Sequence, residues 1–192
     1  MKFYLSSFKL GNQSAQLVRL MPKNKTIAYI PNAGDSTNAD WERKKNWEQF
    51  DIESLEHIGL TVEYLDLQAY FGRTDELRKT LQTFGGVFIR GGNTFILRQA
   101  MKLSGFDIIF KEFLTKDDFV YAEYSAGICV LAPDFRALHI VDDPTDTPYK
   151  ELQDTLWEGL GFLDYIILPH YQSDHPESAA IEKEVAFAQN NN

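Results

Sequence analysis

A serine hydroxyl becomes a nucleophile only when a base takes its proton, and histidine is the usual base near neutral pH. Ser125 stands in the string Glu-Tyr-Ser-Ala-Gly, directly after an apolar run. This placement matches the G-x-S-x-G nucleophile elbow, where a tight strand-to-helix turn exposes the serine oxygen beside backbone N–H donors. Gly127 keeps the second glycine, whereas Glu123 replaces the first and must find room or ionise toward the site. The chain has four histidines. His170, in Leu-Pro-His-Tyr, follows the last strongly apolar run and is expected at the same sheet edge as Ser125. His175 lies deeper in the following loop, His139 sits in an apolar run, and His57 falls on the solvent side of an amphipathic helix. An acid should orient the imidazole. Asp142, Asp143, Asp146 and Asp174 are all available, and spacing does not choose among them.

Other strings carry weaker chemistry. Gly91–Phe95 reads Gly-Gly-Asn-Thr-Phe after a strand but lacks the G-x-x-x-x-G-K-[ST] pattern of a phosphate-cradling loop. His170, Asp174 and His175 offer no third metal ligand at clear spacing, so that segment reads as a solvated loop. Neither a metal nor another cofactor is expected. Trp41, Trp47 and Phe50 at helical spacing read as core or as a dimer contact.

The elements that must position these residues alternate strand and helix signals along the chain. Strands are expected at residues 2–6, 26–31, 61–67, 85–92, 118–127 (this one running into a turn) and 164–171. Helices are expected at about 39–57, 74–83, 93–103, 106–114, 128–133 and 177–189. Residues 142–151 read as a loop. Alternation of this kind predicts parallel β-α-β units in a three-layer α/β/α sandwich with a mostly parallel sheet. Continuous apolar runs such as Val87–Ile89 fit strands buried on both faces. In such sheets, sites form beyond the carboxyl ends of the strands, where the Gly91, Ser125 and His170 segments all fall.

Composition bounds the rest. A chain of 192 residues with 44% hydrophobic content can bury one core, which gives a single domain over residues 1–192 and excludes disorder. The absence of an 18-residue apolar run or signal-like start predicts neither a membrane partner nor export. One cysteine fits a reducing cytoplasm and excludes an internal disulfide. The net charge of −9 argues against nucleic acid as a partner.

Taken in order, Gly91–Phe95, Ser125–Gly127 and Leu168–Tyr171 make the chain resemble the peptidase E family of serine peptidases, the α-aspartyl dipeptidases and cyanophycinases. The likeness covers nearly the whole chain. It implies a class I glutamine-amidotransferase-like, flavodoxin-like fold, with Ser125 as nucleophile and His170 as base. Asp142 would be the third member, since Asp142-Asp143-Pro144 matches the family's Asp-x-Pro string. It further implies an oxyanion hole from Gly92 or Gly91 together with Ala126, and a small peptide substrate, with N-terminal aspartate preferred. Arg136 is one cation that could meet the substrate carboxylate. Glu123, the length of the segment between Asp142 and His170, and the short stretch after the last helix depart from the family pattern. The expected protein is therefore a cytoplasmic serine dipeptidase, monomeric or homodimeric. The rival reading is a catalytically silent small-molecule-binding or regulatory protein on the same fold. A glutamine amidotransferase is disfavoured, because Cys129 lies a helical turn beyond the elbow on the packing side.

Overall fold

The computed structural model describes residues 1–152 and 154–191. Its centre is a sheet of five parallel strands: β1 (Lys2–Ser6), β2 (Thr26–Ile30), β3 (Thr61–Tyr64), β4 (Gly86–Ile89) and β5 (Val120–Tyr124). They are ordered β1-β5-β4-β2-β3. The inner strands are buried along their length because successive side chains enter opposite layers. Val87, Ile89 and Tyr121 face one apolar cluster, and Phe88, Val120, Ala122 and Tyr124 face the other.

The second cluster is closed by α1 (Ser14–Leu20), through Leu17, and by α2 (Trp41–His57), through Leu55. On the first lie α3 (Thr74–Leu81), α4 (Thr94–Ser104), α5 (Phe106–Phe113) and the single turn α6 (Ala126–Cys129). A last helix, α7 (Ser178–Asn190), packs near residues 138–140. Capping explains several boundaries. Asp40 accepts the Arg43 N–H at α2, and Asn93 accepts the Phe95 and Ile96 N–H groups at α4. Gly105, at φ 76°, ends α4 in the left-handed conformation.

The expected α/β/α sandwich is present, with three local corrections. Residues 164–171 form no strand. β5 already has β1 and β4 as neighbours, and the run does not pair with the open edge of β1 either. Ile166, Ile167 and Leu168 instead lie half-buried against the first cluster. The helix expected at 128–133 is confined to Ala126–Cys129. The helix α1 went unread because it buries only Leu17.

Residues 142–149 are pinned across the strand ends. Buried Asp146 accepts from Ser36 Oγ at 2.6 Å, Thr37 Oγ1 at 2.9 Å and Thr37 N–H at 3.2 Å. The Tyr149 hydroxyl donates to Asp35 at 2.5 Å. Removing one partner from such a charge-assisted network costs about 1.5–3 kcal/mol. Asp146→Ala is expected to lower the urea midpoint accordingly with an unchanged m-value, measured by equilibrium unfolding.

Candidate active site

β5 runs straight into α6, and the chain reverses direction at one residue. Ser125 therefore takes φ 54°, ψ −108°, a conformation costly for any side chain with a Cβ. Its neighbours enforce the turn. The Ser125 N–H donates to the Ser6 carbonyl at 3.2 Å, and its own carbonyl accepts from Ile128 and Cys129 at 3.0 and 3.1 Å. The hydroxyl is left half-buried at the carboxyl edge of the sheet.

His170 meets it there. Its Nε2 lies 3.1 Å from Ser125 Oγ, the separation a general base needs. The residue is 6% exposed and has φ 66°. Its backbone N–H donates to Ser7 Oγ at 3.0 Å, and the same hydroxyl lies 3.4 Å from Nδ1. On one face the His175 ring stacks at 3.8 Å and 13°, while Phe8 stands edge-on to both imidazoles. Burial, and then the neighbouring His175, push the His170 pKa down to about 4. The ring is thus a neutral imidazole over the working pH range. With its proton on Nδ1, facing Ser7, the Nε2 lone pair points to Ser125.

Asp142 is not at this imidazole. Its Oδ2 accepts the Thr94 N–H at 2.8 Å, at the start of α4, because the loop carrying it docks on the Gly91–Thr94 turn. Burial there raises its pKa to about 6. Glu184 of α7, buried with neither carboxylate oxygen hydrogen-bonded to a side chain, is pushed up to about 8, first by burial and then by Asp142. The other acids are also committed or apart. Asp143 caps Thr145, and Asp146 holds Ser36 and Thr37. Among the described residues no carboxylate hydrogen-bonds His170. Arg136 is mostly exposed and paired with Asp134 two residues back at 3.0 Å, so its guanidinium is already engaged.

The turn after β4 completes the site. Extending the β4–β5 pairing of Ile89 with Glu123 by two residues sets Gly91 beside Ser125. A Cβ on Gly91 would come within 2.9 Å of the Ser125 Cβ, and one on Gly92, at φ 148°, within 2.3 Å of the Ala33 carbonyl. Only backbone fits here. The N–H groups of Gly91, Gly92 and Ala126 donate to no described residue, which leaves three donors near the elbow. Behind it, Glu123 is fully buried. One oxygen accepts the Ser6 N–H at 3.2 Å, the other has no partner, and burial pushes the carboxyl well above the usual range, favouring the neutral acid. The room Glu123 needs lies beneath the elbow, against Gly127. Cys129 is buried, its thiol pushed well up by that burial, and its Sγ faces the Ile167 carbonyl at 3.5 Å.

Sequence reasoning passed over Ser7 as a contact of His170. The contact comes from strand register, which no local string shows: β1 is parallel to β5 with Ser6 opposite Tyr124, which sets Ser7 opposite Ser125. The stacking of His175 and the nearness of Glu177 likewise had no signal in spacing.

Two outcomes follow. Ser125→Gly is expected to raise stability in urea unfolding, since glycine relieves a strain of about 1–3 kcal/mol and gives back only about 0.5–1 kcal/mol in chain entropy. Glu184 and Asp142 both bind protons more tightly in the folded than in the unfolded chain. Unfolding therefore releases protons, and their stabilisation, full near pH 4, is lost as pH rises toward 8. His170, held neutral in the folded chain, works the opposite way between about pH 4 and 6.5. Melting temperatures measured from pH 6.5 to 9 should therefore show the decline due to Glu184, and Glu184→Gln should flatten it.

Comparison with known proteins shows the same fold. A Listeria monocytogenes EGD-e crystal structure, of a candidate peptidase E protein, superposes with a TM-score of 0.77 at 24% identity, covering 97% of this chain and 87% of that one. A peptidase from an acI-B1 Actinobacterium superposes with a TM-score of 0.62 at 16% identity, covering 94% and 74%. Uncharacterized peptidases of Listeria innocua and Listeria monocytogenes are 28% and 26% identical over 79% of this chain. The chain spans about two thirds of their length, 66% and 68%. The profile of peptidase family S51 matches residues 8–191, a span that takes in the Gly91 turn, the Ser125 elbow and His170, and the chain is a member of that family, the peptidase E family.

Proposed function

We propose that this protein is a serine peptidase acting on small peptides, with Ser125 as nucleophile and His170 as general base. The observation that carries the reading is the 3.1 Å contact of His170 Nε2 with Ser125 Oγ at a strained elbow. Ser125 Oγ attacks the scissile carbonyl carbon while its proton passes to Nε2. The carbonyl oxygen gains the negative charge, which the Gly91, Gly92 and Ala126 N–H groups would stabilise. Collapse expels the amine, which takes the proton from the imidazolium, and water then releases the acyl group by the same route in reverse.

Ser7, rather than Asp142, steadies the imidazole in this reading, and Asp142 holds the glycine turn through Thr94. The loop of residues 142–149, pinned across the strand ends, favours dipeptides or tripeptides over folded chains. The family likeness favours an N-terminal aspartate. The single, buried Cys129 suits a reducing compartment such as the cytoplasm, and among the described residues no helix is long and apolar enough to cross a membrane.

The lack of a carboxylate at His170 Nδ1 favours a second reading, a catalytically silent binder on the same fold, and one experiment separates the two. A fluorophosphonate probe should label Ser125 in the wild type and not in Ser125→Ala or His170→Ala. Complete lack of labelling would leave the binder. Turnover of an Asp-X dipeptide is expected to fall by at least tenfold in Ser7→Ala, with KM little changed, and by much less in Asp142→Asn. The reverse order would return the orienting role to Asp142. Because His170 loses its proton near pH 4, the acid limb of kcat/KM should lie below pH 5.

A further inference from the structure

A cluster beyond the reacting pair stands next to it. His170, His175 and Glu177 each bring one ligand-type atom within 4.8 Å of the others, and they are the one such trio of potential ligands among the described residues. We propose that a zinc-class divalent cation binds His170, His175 and Glu177 and, by taking the imidazole of His170, switches the site off.

Two imidazole nitrogens with one carboxylate oxygen form a donor set suited to zinc rather than to magnesium or calcium, which prefer oxygen. A tetrahedral ion with ligands about 2.0–2.2 Å away holds them roughly 3.3–3.6 Å apart. His175 Nδ1 and Glu177 Oε2 are already 3.7 Å apart. The backbone of this segment is held by Ser7, Ser173 and Ser178, so the remaining adjustment falls to the His175 and Glu177 side chains. Residues 170–177 belong to neither helix nor strand, and the Glu177 carboxylate is about half exposed. The stacked rings must part for both to reach one ion, and the Glu177 N–H that His175 Nδ1 accepts at 3.3 Å must yield to it. Burial falls from His170 through His175 to Glu177, so an ion can enter from the solvent side and leave water as its fourth ligand.

The consequence for His170 holds whichever nitrogen binds. Zinc on Nε2 displaces Ser125 from the lone pair it needs. Zinc on Nδ1 displaces Ser7 and leaves the ring proton on Nε2, which then cannot accept another. Either way the base is lost without any change in the fold. The inhibition rests on the serine-peptidase reading, whereas the binding does not.

Calorimetric titration of metal-free protein with zinc chloride, alongside His175→Ala and Glu177→Gln, tests the site. The expected result is one-site binding in the wild type, weakened at least tenfold in each variant, with no comparable heat from magnesium chloride. Equal zinc binding in wild type and both variants would mean an adventitious surface ion and overturn the proposal. In parallel, fluorophosphonate labelling of the wild type should be suppressed by zinc and restored by a chelator. Labelling of Glu177→Gln, normal without metal, should resist zinc. Full wild-type labelling at saturating zinc would overturn the inhibitory role. If metal-free wild type takes no label at all, the peptidase reading fails, and the titration still decides the metal site by itself.

Discussion

The parallel pairing of β5 with β1 on one side and β4 on the other is the constraint on which the site depends. It sets Ser6 opposite Tyr124 and Ile89 opposite Glu123, so the residues just beyond the three strand ends arrive at one level. Ser7 comes from β1, Gly91 from β4 and Ser125 from β5. A slip of one residue would send each side chain to the other face of the sheet. That slip is resisted because both faces are packed, with Tyr121 in one layer and Ala122 in the other. The ladder hydrogen bonds and the two apolar layers therefore hold a strained serine that local preferences would not.

Polar groups around this edge are used as latches. Glu123 holds the end of β1 through the Ser6 N–H, Asp142 holds the start of α4 through Thr94, and Asp146 holds the turn at Ser36 and Thr37. Buried carboxyls raise the cost of ionisation, and two of these groups, with Glu184, are pushed toward the neutral acid by that burial. The result is a sheet edge whose loops are fixed by hydrogen bonds although they carry little regular structure. His170 gains its position the same way, from Ser7, Ser173 and the stacked ring of His175 rather than from a strand.

An imidazole that hydrogen-bonds no described carboxylate changes the energetics of proton transfer. Where a carboxylate stabilises the imidazolium, the base can be strong and still well oriented. Here a hydroxyl orients the ring without adding charge, and the adjacent His175 opposes a positive charge on His170. The pair keeps its lone pair available down to low pH, at the cost of a weaker pull on the serine proton. A neutral imidazole of this kind also suits a soft cation better than one tied to a carboxylate.

The amino-acid sequence by itself determined the layered fold and marked Ser125 as an elbow residue, because both are written in local signals, whereas it reached His170 through a strand that does not form. Continuous apolar runs such as Gly86–Ile89 mark buried strands, the Asn93 cap marks the start of α4, and Ser125 between Tyr124 and Ala126 marks a turn out of β5. Tertiary structure alone decided what meets His170. Asp142 matched a string, yet its loop is drawn to the N–H groups at the start of α4, while Ser7 reaches the imidazole through strand register across 163 residues of chain. Residues 164–171 have the composition of a strand, but composition marks only a run that must be buried. Here packing of Ile166, Ile167 and Leu168 against the first apolar cluster buries it without pairing to the open edge of β1.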